Sequence, residues 1–248
     1  MIGSLSRNTG TVPEYVRERY NSMPTPVNNN PHWAVFERNF SSPRMKPYLE
    51  RADFDENKAV ELFEWNLEAS LKFWPLIAHT EVALRNALAV QMNKLAIKNS
   101  YSKHWTEDEK GLLGSLKQNP RQTTYGEIIK AKGRISKKKI KLSPDQIIAE
   151  LSLGFWSNLV SSTFTNIWPD LLNAFPNIPQ RSQINVTEPL LDLKFLRNRI
   201  AHHEKIWNLD LNYYLASIQN LNYYLDQDLI DYTDYMVTNA RNYSIPPY

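Results

Sequence analysis

The chain has 248 residues, with 29 basic and 26 acidic side chains, and it contains no cysteine. The lack of cysteine excludes disulfide bridges and cysteine-based metal sites, and it fits a reducing compartment. No apolar run approaches the ~20 residues that span a bilayer and no signal-peptide pattern is seen, so we expect a cytoplasmic protein that does not bind a membrane.

Helix-forming residues dominate, glycines number only 7, and no alternating apolar and polar run is long enough to indicate a sheet. These features predict an all-α protein. We expect residues 1–42 to form an N-terminal extension with short helices, since prolines and three consecutive asparagines interrupt this stretch. Residues 43–248 are expected to form the main helical domain, which opens with a short helix at Pro43–Arg51.

The longest helical pattern runs from Asp55 to Ile97. Leu67, Leu71 and Trp74 keep helical spacing in its first half. Pro75 follows directly. Because proline lacks the N–H that the helical ladder needs, we expect a kink or a break there.

The second half of this pattern has an apolar stripe at Leu84, Leu88, Met92 and Leu95. Glu81 and Arg85 lie one turn apart and project onto the N-terminal end of this stripe. One interpretation is an internal ion pair, which is costly to build and costly to break. In the other, Glu81 orients Arg85 or Arg197 within a functional site. The sequence leaves both open.

A basic run between residues 130 and 141 carries seven cations and no acidic residue. Its composition, with Gly133 inside it, predicts a loop or a frayed helix. Seven positive charges would attract the phosphate backbone of RNA, with Lys137, Lys138 and Lys139 as the candidate contacts. The alternative is a solvated loop whose charge only aids solubility.

Ser143 and Pro144 predict the start of a strong helix that continues through Phe155. Gly154 lies inside this helix, where glycine costs ~1 kcal/mol. We therefore expect it to permit the close approach of another helix.

The next strong helix is predicted from Thr187, its N-cap, to His202. Arg197 falls in the middle of its apolar stripe, which consists of Leu190, Leu193, Leu196, Ile200 and Ala201. A guanidinium stays charged at any working pH, so its burial requires a partner. Asn198 and His202 lie one turn apart on the flank of the same stripe.

This helix ends in the string LRNRIAHHEKIW, residues 196–207. Arg197 and Asn198 followed by His202 resemble the signature of the HEPN superfamily (higher eukaryotes and prokaryotes nucleotide-binding). The whole string resembles more closely the Abi-like abortive-infection proteins within that superfamily. The resemblance extends from Arg44 to Tyr224 and includes elements at Arg44–Leu49, Glu81–Asn86 and Ala149–Trp156.

The resemblance implies an up-and-down helical bundle of HEPN type with extra N-terminal and C-terminal helices. It also implies a metal-independent endoribonuclease of a phage-defence or toxin type, which cuts structured RNA such as tRNA loops, leaves 2′,3′-cyclic phosphate ends and needs no cofactor. Arg197 would bind phosphate oxygens and His202 would transfer protons, with Asn198 orienting either and His203 as the alternative to His202. A homodimer would face both motifs into a shared cleft, and an antitoxin or a trigger protein would be a further partner.

Other interpretations stay open on the sequence. In one, Arg197 is a buried structural arginine beside a polar helix end. In another, the chain is a non-catalytic HEPN module that binds RNA or a partner protein. A metal site of His202, His203 and Glu204 is disfavoured, because adjacent histidines on an ideal helix point ~100° apart and cannot chelate one ion.

Overall fold

The computed structural model describes residues 32–107, residue 113 and residues 124–248. Regular structure within these residues is helical throughout, with no strand, so the predicted all-α class is confirmed. The α-helices of this part of the chain are α1 (Trp33–Phe40), α2 (Ser42–Arg51), α3 (Glu56–Lys98), α4 (Thr124–Lys137), α5 (Pro144–Glu150), α6 (Leu153–Leu159), α7 (Trp168–Leu171), α8 (Ile184–Ala201), α9 (Leu211–Leu225) and α10 (Gln227–Arg241). The up-and-down arrangement of HEPN type stays a prediction.

Most of the predicted N-terminal extension, residues 1–31, lies outside the described residues. In the rest of it, α1 occupies Trp33–Phe40 and α2 begins at Ser42. Its boundary with the main domain at residue 42 stays a prediction. Among the described helices, none combines the length and the apolar character that crossing a membrane requires.

The described residues divide into two compact units, which are residues 32–65 with 247–248 and the described part of residues 66–246. The first unit contains an aromatic cluster around Phe63. Each of its outer rings lies 5.4 Å from the ring of Phe63, measured between centroids, and these rings are Phe36, Phe40 and Tyr48. The second unit contains all the side chains of the candidate site.

Helix α3 runs through Pro75 and is 43 residues long, so a break at Pro75 is wrong, while a kink there stays a prediction. The flanking side chains explain why, because Phe73, Leu76 and Ile77 are fully buried. Burying each contributes about 1.5–3 kcal/mol. Together they outweigh the ~3 kcal/mol that an interior proline costs.

The predicted single helix from Ser143 to Phe155 is two helices, α5 and α6. Ser143 caps α5 as predicted, accepting a hydrogen bond from Gln146 N at 3.3 Å. The backbone then becomes extended at Leu151 (φ −72°, ψ 134°), and the Ser152 hydroxyl accepts a hydrogen bond from Phe155 N at 3.4 Å. A serine hydroxyl that captures a backbone N–H competes with the helical ladder, and here it starts a second helix.

The expectation for Gly154 is also wrong. A Cβ at Gly154 would meet only the Ser152 hydroxyl, at an ordinary contact distance of 3.4 Å. Glycine at this position therefore does not allow close approach of another helix.

The basic run is largely helical, contrary to the predicted loop or frayed helix. It occupies α4 as far as Lys137, and only the residues beyond Lys137 form a turn and an irregular segment. Ile128, Ala131 and Ile135 form a buried stripe along α4. An amphipathic face that packs in this way stabilises a helix more than one interior glycine, Gly133, destabilises it.

Helices α8, α9 and α10 pack in series, and α8 also contacts α6. The apolar stripe predicted for α8 is buried at Leu190, Leu193, Leu196 and Ile200. The predicted cap is wrong, because α8 begins at Ile184. The Thr187 hydroxyl donates instead to Val160 O, at 3.0 Å, and this contact fixes α8 near the end of α6.

Candidate functional site

Helix α8 ends in a tight turn at the two histidines. His203 N donates to Ile200 O at 3.0 Å, and Glu204 N donates to Arg199 O at 2.8 Å. These two hydrogen bonds form a Schellman motif, in which the residue after the C-cap takes a left-handed conformation. That residue is His203, with φ 54°. Glycine is favoured there, since a side chain costs roughly 1–2 kcal/mol in this conformation.

The turn exposes the side chains of Asn198, His202 and His203 to solvent. Within the described part of the chain, the His202 ring makes no hydrogen bond and no ion pair. No group of three His, Cys, Asp or Glu side chains there could hold a metal ion, which includes the set of His202, His203 and Glu204.

Arg197 forms an ion pair with Glu81 on α3. Its Nε lies 3.5 Å from Glu81 Oε2, and the two side chains are 32% and 22% exposed. The Nε atom is buried and has no hydrogen-bond partner among the described residues. Arg197 Nη1 donates a long hydrogen bond of 3.4 Å to Asn198 Oδ1. The structure thus brings together three of the candidate residues.

The remaining candidate on α3, Arg85, has a different partner. Its Nη1 donates to Ala149 O at 3.3 Å, near the C-terminal end of α5, where carbonyls lack helical partners. Among the residues described, the ion pair of Glu81 is therefore with Arg197 and not with Arg85. The expectation that Glu81 orients Arg197 within a functional site stays a prediction.

Two residues near the turn were not anticipated from the sequence. Arg199 donates from Nε and Nη2 to Lys205 O, at 3.0 and 2.7 Å, and its Nη1 lies 3.4 Å from Glu204 Oε2. Asn66, buried on α3, bonds to the backbone of residues 204–207. The sequence signal for Asn66 is its helical spacing with Leu62, Ala69 and Phe73, which are all buried.

The fold supplies acidic partners to part of the basic run. Lys130 pairs with Glu127 at 2.6 Å, and both Arg134 and Lys138 bond to the Glu150 carboxylate. These hydrogen bonds hold the pKa of the Glu150 carboxyl below its ordinary value. The cations that keep no acidic partner among the described residues include Lys137, Lys139 and Lys141, all exposed. The run therefore attracts phosphate less strongly than its seven charges predict.

Comparison with known proteins gives one family. The profile described as "Abi-like protein" matches residues 27–208, which is more than half of the chain and includes α8 and its final turn. The match begins before Arg44 and ends before Tyr224, the two limits of the sequence resemblance. No curated protein and no solved structure matches the chain. The chain belongs to the Abi-like protein family.

Proposed function

We propose that this Abi-like chain is a HEPN-type endoribonuclease that cuts RNA without a metal ion and acts in abortive infection. The observation that carries the proposal is the pairing of Arg197 with Glu81, next to a helix end that exposes two histidines. The family name points to abortive infection. The chemistry of the side chains supports RNA as the substrate.

RNA carries its own nucleophile. The 2′-hydroxyl attacks the adjacent phosphodiester, so an enzyme must remove one proton, stabilise charge on the phosphorane and give one proton to the leaving 5′-oxygen. An imidazole suits both proton transfers near neutral pH. A guanidinium suits the phosphorane, since its fork can bind two oxygens at once.

Arg197 has the properties that the second task requires. Glu81 lies beside its Nε and Asn198 accepts from Nη1, which leaves Nη2 and the second hydrogen of Nη1 as donors to a ligand. Partial burial reduces solvent screening and strengthens the attraction for a phosphate. Asn198 limits the motion of the fork through its contact with Nη1.

His202 suits the proton transfers because its exposed ring is not occupied by another described residue. His203 is the alternative, but its left-handed backbone indicates a second role, in forming the turn. An ideal helix places residues 197 and 202 about 140° apart around its axis. The arginine and the histidine of one chain therefore diverge, which favours a site assembled from two copies.

An exposed apolar stripe on α3 supports such an assembly. Leu67, Leu71, Trp74 and Val82 are all solvent-exposed, with Leu71 at 69%. At 100° per residue these positions lie on one face of α3, and Glu81 lies on the same face. A second copy that packs on this face around a two-fold axis would lie next to both Arg197–Glu81 pairs.

The nature of the product tests the reaction directly. Purified protein is incubated with a structured RNA in EDTA, and the fragment ends are identified by mass spectrometry. Attack by the 2′-hydroxyl predicts 2′,3′-cyclic phosphate ends. Fragments that all carry a 3′-hydroxyl would contradict it.

The ion pair also supports a second function, a non-catalytic HEPN module that binds RNA or a partner protein. Glu81 offsets part of the charge of Arg197, as it would for a purely structural arginine. The His202→Ala variant separates the two functions. A nuclease loses cleavage and keeps binding, whereas a binding module has no cleavage to lose.

A further inference from the structure

Asn66 is an amide on the buried side of α3, with only 1% of its surface exposed. Asparagine favours neither a helix interior nor burial without partners. Among the described residues, all the hydrogen-bond partners of its side chain lie in a single segment, the one that follows the histidine turn. Its Oδ1 accepts hydrogen bonds from Ile206 N at 2.7 Å and Trp207 N at 3.3 Å, and its Nδ2 donates to Glu204 O at 3.3 Å.

The segment 204–207 depends on side chains for these hydrogen bonds because it lies outside any helix. Ile206 is fully buried, and a buried N–H without a partner costs about 1–3 kcal/mol. Asn66 satisfies that N–H, while Arg199 satisfies the carbonyl of Lys205. Two side chains, one from each of two helices, thus fix the path of the chain directly after the histidines.

The turn before this segment needs such support. His203 occupies a left-handed conformation that favours glycine, and this conformation persists only where the surroundings hold it. The hydrogen bonds of Asn66 to residues 204, 206 and 207 lie immediately after that position. They fix the backbone that sets the direction of the His202 and His203 rings.

We propose that Asn66 is a positioning residue that holds the histidine turn in the geometry required for proton transfer. The catalytic part of this statement rests on the proposed nuclease function. An amide is required because a single side chain must accept from two N–H groups and donate to one carbonyl. Alanine provides none of these bonds, and aspartate keeps only the acceptors.

The test compares Asn66→Ala with Asn93→Ala in the full-length chain. Asn93 is a matched control, because it also lies on α3 and anchors a remote residue, accepting a hydrogen bond from Trp105 Nε1 at 2.8 Å. Amide hydrogen exchange and the histidine ring resonances are measured by NMR, together with kcat and KM on RNA. Asn66→Asp is the second variant, which keeps the acceptor for Ile206 N and Trp207 N.

We expect Asn66→Ala to lower the protection of the Ile206 amide about 10-fold, the equivalent of one hydrogen bond. We also expect it to shift the His202 and His203 resonances and to reduce kcat about 10- to 100-fold, with KM nearly unchanged. Asn66→Asp should fall between it and the wild type, and Asn93→Ala should change none of these quantities. If Asn66→Ala does not fold, the same comparison is made with Asn66→Asp.

Three results would overturn the proposal. Unchanged Ile206 protection and unchanged histidine resonances would show that the contact does not hold the turn. An equal loss of protection along the whole of α8 would show general destabilisation. Altered resonances with wild-type kcat would remove the catalytic part. If the wild type cleaves no RNA at all, the nuclease function fails while the NMR comparison still decides whether Asn66 holds the turn.

Discussion

The Nε atom of Arg197 lies 3.5 Å from the Glu81 carboxylate, and this ion pair joins α8 to α3 beside the exposed histidines. Glu81→Gln removes the charge that orients the guanidinium. We expect cleavage to fall about 10- to 100-fold, since a misplacement of 1 Å has an effect of this size. The free energy of unfolding should change by no more than about 1 kcal/mol, because both side chains are partly exposed.

Single-turnover cleavage and urea denaturation measure the two effects of Glu81→Gln. Glu127→Gln is the matched control, since it removes the same charge from an ion pair with Lys130 on α4. If Glu81→Gln cleaves RNA at the wild-type rate, the ion pair does not orient Arg197 for the reaction.

His203 offers a way to separate backbone conformation from chemistry. Replacement by glycine relieves the left-handed strain, and replacement by alanine removes the ring but keeps the strain. We expect His203→Gly to be more stable than His203→Ala by about 1 kcal/mol in urea denaturation. Both variants should cleave like the wild type if His202 transfers the protons. Loss of cleavage in both variants, with wild-type cleavage by His202→Ala, would assign proton transfer to His203.

The exposed lysines of the basic run should bind RNA backbone without reading its sequence. Lys137, Lys139 and Lys141 keep no acidic partner in the described chain, whereas Lys138 bonds to Glu150. Replacing the three exposed lysines with glutamine should weaken binding of all RNAs alike. The log–log salt slope should fall by roughly 0.7 for each lost single-strand phosphate contact.

Fluorescence anisotropy over a range of salt concentrations measures this slope. Lys130→Gln is the control, because Lys130 is already paired with Glu127 and should contribute little. Turnover at saturating RNA should stay unchanged in both variants. If the triple variant binds RNA with unchanged affinity and unchanged salt slope, the basic run is only a solvated segment.

Assembly of two copies is tested on the apolar stripe of α3. Leu71→Glu places a charge in the middle of the stripe and should convert a dimer into an inactive monomer. Ile97→Glu is the control, since Ile97 is also exposed on α3 but lies about 120° from Leu67 around the axis. Light scattering at micromolar concentration reports the mass. An active wild-type monomer would refute the shared site.

The sequence predicted the parts of the fold that follow from periodicity. The buried stripe of α8 has a helical period. The position of Arg197 within this stripe predicted that its guanidinium would have a partner. Tertiary contacts decided the rest. The bonds between Asn66 and residues 206 and 207 join positions about 140 apart in the chain, and no local pattern marks such a contact.

Predictions from local sequence patterns were also wrong where side-chain burial or a competing hydrogen bond outweighed the local preference. Burial of Phe73, Leu76 and Ile77 carries α3 through Pro75, and the hydroxyl of Ser152 divides a helix that the period predicted as continuous. Helical spacing identified Leu67 and Leu71 as a stripe but did not show that this stripe faces solvent. Periodicity predicts which side chains share one face of a helix, but it does not predict whether another element packs on that face.

Cleavage of a structured RNA in EDTA by the wild type and by His202→Ala tests the central claim most directly. The account predicts that the wild type cuts RNA in the chelator. It also predicts that His202→Ala, folded by circular dichroism and still binding RNA, is slower by about 10²- to 10⁴-fold, the usual contribution of general acid–base catalysis. Cleavage that requires an added divalent metal, or equal rates for the two proteins, would contradict it.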